Sequence, residues 1–228
     1  MKHPAPFPPK ILTALRLATA ELPDDAAIFD PFCGVGGIAA IRPTFRCYGC
    51  EIEREWAEEA QRRGVSCLWI DVTAALLVPP GDGFDAVVTS PCYGNRMADN
   101  YAPAPTAEHR MRRSYRLALG HALTEGSAGG MQWGDAYRAL HAVAWHRCVE
   151  ALRPGGLFVL DCKNHPRGGV EQLVTEWHVR VLLESGLALV SATKIPLTGD
   201  QNTASMRKRG VRVIDHEWVI VLRKPEAK

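Results

Sequence analysis

Asp30-Pro31-Phe32-Cys33-Gly34-Val35-Gly36-Gly37, entered from the apolar run 26–29, is the stretch that decides the fold. A short buried strand that ends in an acid and breaks into closely spaced glycines marks a sharp bend. The backbone there can approach a ligand closely, because no Cβ stands in the way. Gly34, Gly36 and Gly37 supply no third glycine at the G-x-G-x-x-G spacing, so the turn lacks the fingerprint of a pyrophosphate cradle. A nucleoside without phosphates fits it better.

Before this turn, a proline-rich entry precedes a helix expected over 10–21. Beyond the turn and the short apolar run 38–41, the order is β-α-β-α-β: a strand over 46–52, a polar helix over 53–63 and a strand over 66–72. A fourth strand covers 84–89, and the composition then changes to arginines, prolines and glycines without a period, which reads as an insertion at about 94–134. A helix over 135–152, a turn at Arg153-Pro154-Gly155-Gly156, a strand over 157–160, a helix over 170–185 and strands over 187–195 and 216–222 complete the chain. Alternating strands and helices predict a mostly parallel sheet with right-handed crossovers and a ligand beyond the carboxyl ends of its strands.

At 228 residues and 46% hydrophobic content the chain suits one sizeable core. A net charge of +2 is far from a generally basic protein, so contact with nucleic acid must come from local patches. The seven cysteines are odd in number and irregularly spaced, and no secretory signal precedes them; reduced thiols and a cytoplasmic location are expected. The apolar run 11–22 is broken by Arg16, Thr19 and Glu21, too short and too polar to span a membrane. Cys47 and Cys50 lie within one expected strand, where alternation points them to opposite faces, and no second pair accompanies them; no metal site is expected. His141 and His146 have no evident partner on their helix and are assigned no role.

Glu51 ends the second strand about 20 residues beyond the turn, where a carboxylate can accept both ribose hydroxyls. Asp71 ends the third strand and can face an adenine edge. With Asp30, three successive strands end in an acid. At this point the sequence resembles the class I S-adenosylmethionine-dependent methyltransferases, and its turn is similar to the D-P-F-x-G-x-G motif of DNA amino methyltransferases of the compact bacterial and phage type. The resemblance takes in His3-Pro4-Ala5-Pro6-Phe7-Pro8 and Leu152-Arg153-Pro154-Gly155-Gly156 and spans nearly the whole chain. It implies a Rossmann-like α/β fold: a mostly parallel seven-stranded sheet with an antiparallel last strand, helices on both faces, and a single domain over 1–228. It implies S-adenosyl-L-methionine as cofactor, held by Phe7, Asp30, Pro31, Phe32, Cys33, Gly34, Gly36, Glu51, Ile52, Asp71 and Val72.

The fourth strand runs into Ser90-Pro91-Cys92-Tyr93. An exocyclic amine shares its lone pair with the ring, so a methylating enzyme must accept the amino hydrogens and let nitrogen become tetrahedral. The Ser90 hydroxyl and Pro91 carbonyl are acceptors, and Tyr93 can stack on a base withdrawn from its helix. The tetrapeptide resembles the [DNS]-P-P-[YFW] motif of amino methyltransferases, which makes Ser90, Pro91, Cys92 and Tyr93 the catalytic candidates. Cys92 departs from it, replacing the second proline and restoring an N–H. A Pro-Cys pair after the fourth strand also occurs in cytosine-C5 methyltransferases, where the thiolate attacks the ring. The Glu-Asn-Val segment of those enzymes is absent, and Asp161-Cys162-Lys163-Asn164 stands in its place.

Between 95 and 116 five arginines face two acids, a local net charge of +3, with Tyr101 and Tyr115 interleaved. A second basic cluster, Arg207, Lys208, Arg209 and Arg212, precedes the last strand, and Lys163, His165 and Arg167 follow the fifth. Asn95, Arg96, Arg110, Arg112, Arg113, Lys163, Arg207 and Arg209 are the expected substrate contacts, gripping phosphates around a flipped base, with DNA as the expected partner. Other readings stay open: an RNA, protein-amide or small-amine acceptor, a cytosine-C5 enzyme using Cys92, or a nucleic-acid or cofactor-binding module without catalysis.

Overall fold

In a computed structural model of the chain, residues 7–94, 115–197 and 213–226 are described. The first half carries α1 (Pro9–Ala18), β1 (Ala27–Asp30), β2 (Arg46–Glu51), α2 (Arg54–Arg62), β3 (Ser66–Trp69) and β4 (Phe84–Thr89). The second carries α3 (Tyr115–Leu119), α4 (Asp135–Ala151), β5 (Leu152–Cys162), a small hairpin of β6 (His165–Arg167) and β7 (Val170–Gln172), α5 (Val174–Glu184), β8 (Ala188–Pro196) and β9 (His216–Arg223).

Seven strands form one sheet in the order β3-β2-β1-β4-β5-β9-β8. β1 to β5 run parallel, β9 is antiparallel to β5, and β8 is antiparallel to β9, so β9 alone opposes the other six. The chain winds outward to β3 and then returns to place β4 beside β1. Strand order reverses there, and the crevice at that switch point is where an open parallel sheet binds ligands.

Apolar residues on alternate strand positions feed two cores. On one face Ile28, Cys47, Ala86, Val88, Val159 and Val219 pack against Ile11 and Leu15 of α1 and Ala57 and Ala60 of α2. On the other, Phe29, Cys50, Val87, Phe158 and Leu160 pack against Tyr137, Trp145 and Cys148 of α4 and Leu182 of α5. Helices thus cover both faces. In α4 the buried residues Tyr137, His141, Ala144, Trp145 and Cys148 recur every three or four positions, the stripe of a half-buried helix. Cys47 and Cys50 do fall on opposite faces.

Several boundaries differ from the sequence reading. The run 38–41 forms only a 3-10 turn, Gly37–Ala40, too short to be the first helix of a β-α-β unit. β3 stops at Trp69, and Asp71 lies beyond it. β5 begins at Leu152, because the Arg153-Pro154-Gly155-Gly156 segment is a bulge within the strand: Phe84 pairs with Leu152 and Ala86 with Leu157. The expected helix over 170–185 begins at Val174, the residues before it forming the hairpin. Gly168 and Gly169, both at positive φ, turn the hairpin. Asn164 Oδ1 accepts the Thr175 N–H at 2.9 Å and so satisfies a donor in the first turn of α5. The insertion contains α3 and a second 3-10 turn, Ala128–Gly130. Among the described residues no helix is long and apolar enough to cross a membrane, and no group of three or more His, Cys, Asp or Glu could hold a metal ion. All seven cysteines are free.

Candidate active site

The carboxyl ends of β1, β2, β4 and β5 surround a cavity of 490 Å³, within the range of roughly 300–1,000 Å³ typical of small-molecule sites. Asp30, Glu51 and Asp71 line one part of it, Ser90, Pro91, Cys92 and Tyr93 another. Phe7, Pro31, Phe32, Cys33, Gly34, Ile52 and Val72 also line it, whereas Gly36 does not. Gly36 instead holds the turn at φ +78°, where a Cβ would stand 2.9 Å from Val65.

Burial dominates the electrostatics. Asp30 Oδ1 accepts the Phe32 N–H at 3.0 Å and the Thr89 hydroxyl at 2.7 Å, yet loss of water raises its pKa to about 7. Glu51 accepts the Gly34 N–H on Oε2 at 2.9 Å and the Glu53 N–H on Oε1 at 2.8 Å. Burial again outweighs these bonds and the weaker influence of the Ile52 N–H, and its pKa also rises to about 7. Each Glu51 oxygen keeps a lone pair for a ligand hydroxyl. Asp71 is less free than its sequence position suggested: Oδ1 accepts both the backbone N–H and the hydroxyl of Thr73, closing the turn after β3.

The 90–93 loop is held from outside. Trp145 Nε1 can only donate, so His178 Nδ1, 2.8 Å away, accepts and the imidazole hydrogen sits on Nε2. Nε2 donates to Tyr137 Oη at 2.9 Å, and the Tyr137 hydroxyl donates to the Cys92 carbonyl at 2.5 Å. Burial holds the His178 pKa well below its usual value, so the ring is neutral, as this relay requires. Next door the Trp133 N–H donates to the Gly94 carbonyl at 2.6 Å, and Gly94 sits at φ +68° with no room for a Cβ against Trp133. The stiffness that a second proline would give the loop comes here from a clamp built on α4 and α5.

Cys92 itself is half-buried, and desolvation pushes its thiol up to about 11 while Sγ donates to Tyr115 Oη at 3.5 Å. Tyr115, expected among the substrate-facing loops, is instead buried against Trp56 and Val35 in the cavity wall. Glu53 was not anticipated. It is buried and accepts both the N–H and the hydroxyl of Thr124, tying the insertion to the start of α2. That tie brings Gly126, Ser127, Ala128 and Gly129 into the cavity wall. Asp161 and Glu217, also unanticipated, line the cavity beside Ser90 and Tyr93. Asp161 was visible in the sequence as a fourth acid closing an apolar strand.

Of the expected substrate contacts, Asn95, Arg96, Arg110, Arg112, Arg113, Arg207 and Arg209 lie outside the described residues. Lys163 is half-buried and lowers the pKa of both Asp161 and Glu217, so it neighbours the cavity acids. Arg167 donates to the Trp133 carbonyl at 3.3 Å. His141 is a packing residue, stacked on Tyr137 and pushed down to a pKa of about 4 by burial. His146 is exposed and paired with Glu150.

No protein-family model matches the sequence, and no curated protein does. Solved structures match in shape. TrmN from Thermus thermophilus superposes with a TM-score of 0.55 at 18% identity, over 94% of this chain and 48% of TrmN, so the chain spans about half of that protein's length. The N-methyltransferase NodS from Bradyrhizobium japonicum, in complex with S-adenosyl-L-homocysteine, gives 0.57 at 13% identity over 96% of this chain and 89% of NodS.

The chain has the class I methyltransferase fold. A third match is the 1,6-didemethyltoxoflavin-N1-methyltransferase of Burkholderia thailandensis with its substrate and S-adenosylhomocysteine bound, at a TM-score of 0.52 and 16% identity over 96% and 79% of the two chains.

Two outcomes follow from the geometry. Tyr137→Phe leaves the His178 donor and the Cys92 carbonyl unpaired in the core, and denaturant unfolding should show a loss of about 1–3 kcal/mol. For Glu51 the folded pKa lies above the unfolded one, so the folded state binds the extra proton and its stability falls as pH rises between them. Glu51→Gln lacks this loss. Measured against the parent, its relative stability should improve from pH 4.5 to 7, by on the order of 1–3 kcal/mol; a pH-independent difference would contradict the assignment.

Proposed function

We propose that the chain is an S-adenosylmethionine-dependent methyltransferase acting on an exocyclic amino group of a nucleic-acid base, cytosine N4 or adenine N6 in DNA. The observation that carries this reading is the meeting of two residue sets in one cavity: the acids Asp30 and Glu51 at their strand ends with Asp71 beyond β3, and the amine-accepting Ser90-Pro91-Cys92-Tyr93. When bound, the cofactor supplies an electrophilic methyl carbon on a sulfonium.

The cavity residues fit such a ligand. A nucleoside with a positively charged amino-acid tail needs a hydroxyl acceptor and an anionic partner, and Glu51 and Asp30 supply them. Their raised pKa values mean that a cationic ligand draws out a proton on binding, since a nearby positive charge favours the carboxylate. Phe7 and Phe32 give an apolar wall. At the acceptor end, the Ser90 hydroxyl and Pro91 carbonyl accept from the amino group, and the Tyr93 ring packs on the base. The clamp on the Cys92 carbonyl keeps those acceptors in place, and positioning supplies much of the rate in such a transfer.

The Cys92 thiol, held up at about 11 by burial, stays protonated near neutrality, which favours amine transfer over covalent attack on ring carbon. Residues 126–129 of the insertion line the cavity, with Gly126 close to Asp71 and Ile52. Base choice and the grip on phosphate fall to the arginines of the insertion and of 207–212.

Transfer of labelled methyl should be measured in parallel on genomic DNA, total RNA and protein, with the products digested and identified by mass spectrometry. The expected product is N4-methylcytosine or N6-methyladenine in DNA. Tyr93→Ala should lower the rate roughly 10- to 100-fold, in line with ~1–3 kcal/mol for a stacked base. Label appearing in 5-methylcytosine, or only in RNA or protein, would contradict the reading, as would full activity in Tyr93→Ala.

A further inference from the structure

Past the amine-accepting tetrapeptide, the cavity holds a second pair of acids whose placement follows from strand geometry. Leu157, Val159 and Asp161 alternate onto the α1 side of β5, and Ala86 and Val88 onto the same side of β4. Thr89 pairs with Leu160, so Ser90, one residue on, stands beside Asp161. On β9, Val219 pairs with Asp161, and Glu217, two residues away, shares its face. Ser90, Asp161 and Glu217 therefore form a row across three adjacent strands at the cavity floor.

Asp161 is only 1% exposed; Ser90 hydrogen-bonds its carboxyl group, while Oδ1 is buried without a hydrogen-bond partner. A buried acceptor left unmade costs about 1–3 kcal/mol, which is well spent only where a ligand completes it. The Tyr93 hydroxyl, 3.1 Å from Ser90 Oγ, occupies the neighbouring position. An amine that takes its place on Ser90 reaches Asp161 as well.

We propose that Asp161 is a catalytic residue: it accepts the second hydrogen of the substrate amino group and takes the proton that nitrogen sheds on methylation. This rests on the methyltransferase reading above. The amine lone pair forms the N–C bond as the C–S bond of the sulfonium donor breaks, with that bonding pair remaining on sulfur. The surplus proton passes from nitrogen to the Asp161 carboxylate and later to solvent. Ser90 and the Pro91 carbonyl hold one amino hydrogen and Asp161 the other, so a primary amine satisfies every acceptor and a methylated one does not.

The groups facing Asp161 are Glu217 from β9, Lys163 beyond the end of β5, and Ser90 and Tyr93 from the loop after β4. Burial, then Glu217, raise the Asp161 pKa well above the carboxylate range, and Ser90 and Lys163 oppose them. A proton acceptor of raised pKa is better matched to neutral pH than an ordinary aspartate. Activity should therefore increase with pH as Asp161 ionises.

The test uses the full chain, S-adenosylmethionine and genomic DNA from a methylation-deficient host. Asp161→Asn, which keeps the side chain's shape and cannot take a proton, should lower kcat at least about 100-fold. It should abolish the rising limb of the kcat profile while leaving the affinity for S-adenosylhomocysteine, measured by calorimetry, within about twofold of the parent. Parent-like kcat and pH dependence in the variant would overturn the proposal, and so would an affinity loss as large as the rate loss. Should the variant not fold, the parent's own profile decides: a kcat that rises with pH nowhere in the range where the protein stays folded overturns the assignment. A parent that methylates nothing defeats the functional reading and this one together. An active parent with an unaffected Asp161→Asn defeats this one alone.

Discussion

Everything in the site depends on taking carboxylates out of water at the carboxyl edge of a parallel sheet. Asp30 and Glu51 close their strands, Asp161 stands one residue before the end of β5, all three are buried, and in each case desolvation is the largest influence on the proton. A buried acid is tolerated only with partners. Asp30 and Glu51 find backbone N–H groups supplied by the glycine turn and the start of α2, and these bonds fix the turn against the sheet. The acids are thus structural and receptive at once: they organise the loop that forms the cavity and retain acceptor capacity for what enters it.

The opposite side of the cavity solves a different problem. Cys92 gives the loop after β4 a free N–H and a more flexible backbone than proline would. Rigidity is restored from the core of the other sheet face, where Trp145, His178 and Tyr137 each donate in one direction until the last donor reaches the Cys92 carbonyl. Because every member is buried and neutral, the chain of bonds has one consistent arrangement. Packing of α4 and α5 on the sheet is thereby coupled to the geometry of the loop.

Much of this was legible in the sequence, and the limits have physical causes. The 84–89 strand was readable to the residue because a β-prone run interrupted only by Asp85 lies between Gly83 and the Ser90-Pro91 turn. The 135–152 helix was readable from its 3.6-residue stripe. Periodicity failed where a side chain from elsewhere decides: Asn164 sets the start of α5, and the Gly168-Gly169 turn makes a hairpin of residues that would otherwise extend the helix. It also failed at Arg153-Pro154-Gly155-Gly156, where turn chemistry makes a bulge inside a strand. At the site, the strand-end acids Asp30 and Glu51, legible in the sequence, line the cavity. The clamp stayed hidden because Tyr137 and His178 meet Cys92 only in three dimensions, and Glu53 because its partner Thr124 is 71 residues away.

In the proposed function a nucleoside sulfonium and an amine share one cavity, the first on Glu51 and Asp30, the second on the loop after β4. A crystal structure of the protein with S-adenosylhomocysteine tests this most directly. The account predicts the ribose hydroxyls on the Glu51 carboxylate and the sulfur turned toward Ser90 and Pro91, with space between for a methyl group and an amine nitrogen at roughly 3–3.5 Å. A nucleoside bound elsewhere, or one whose sulfur faces away from that loop, would contradict it.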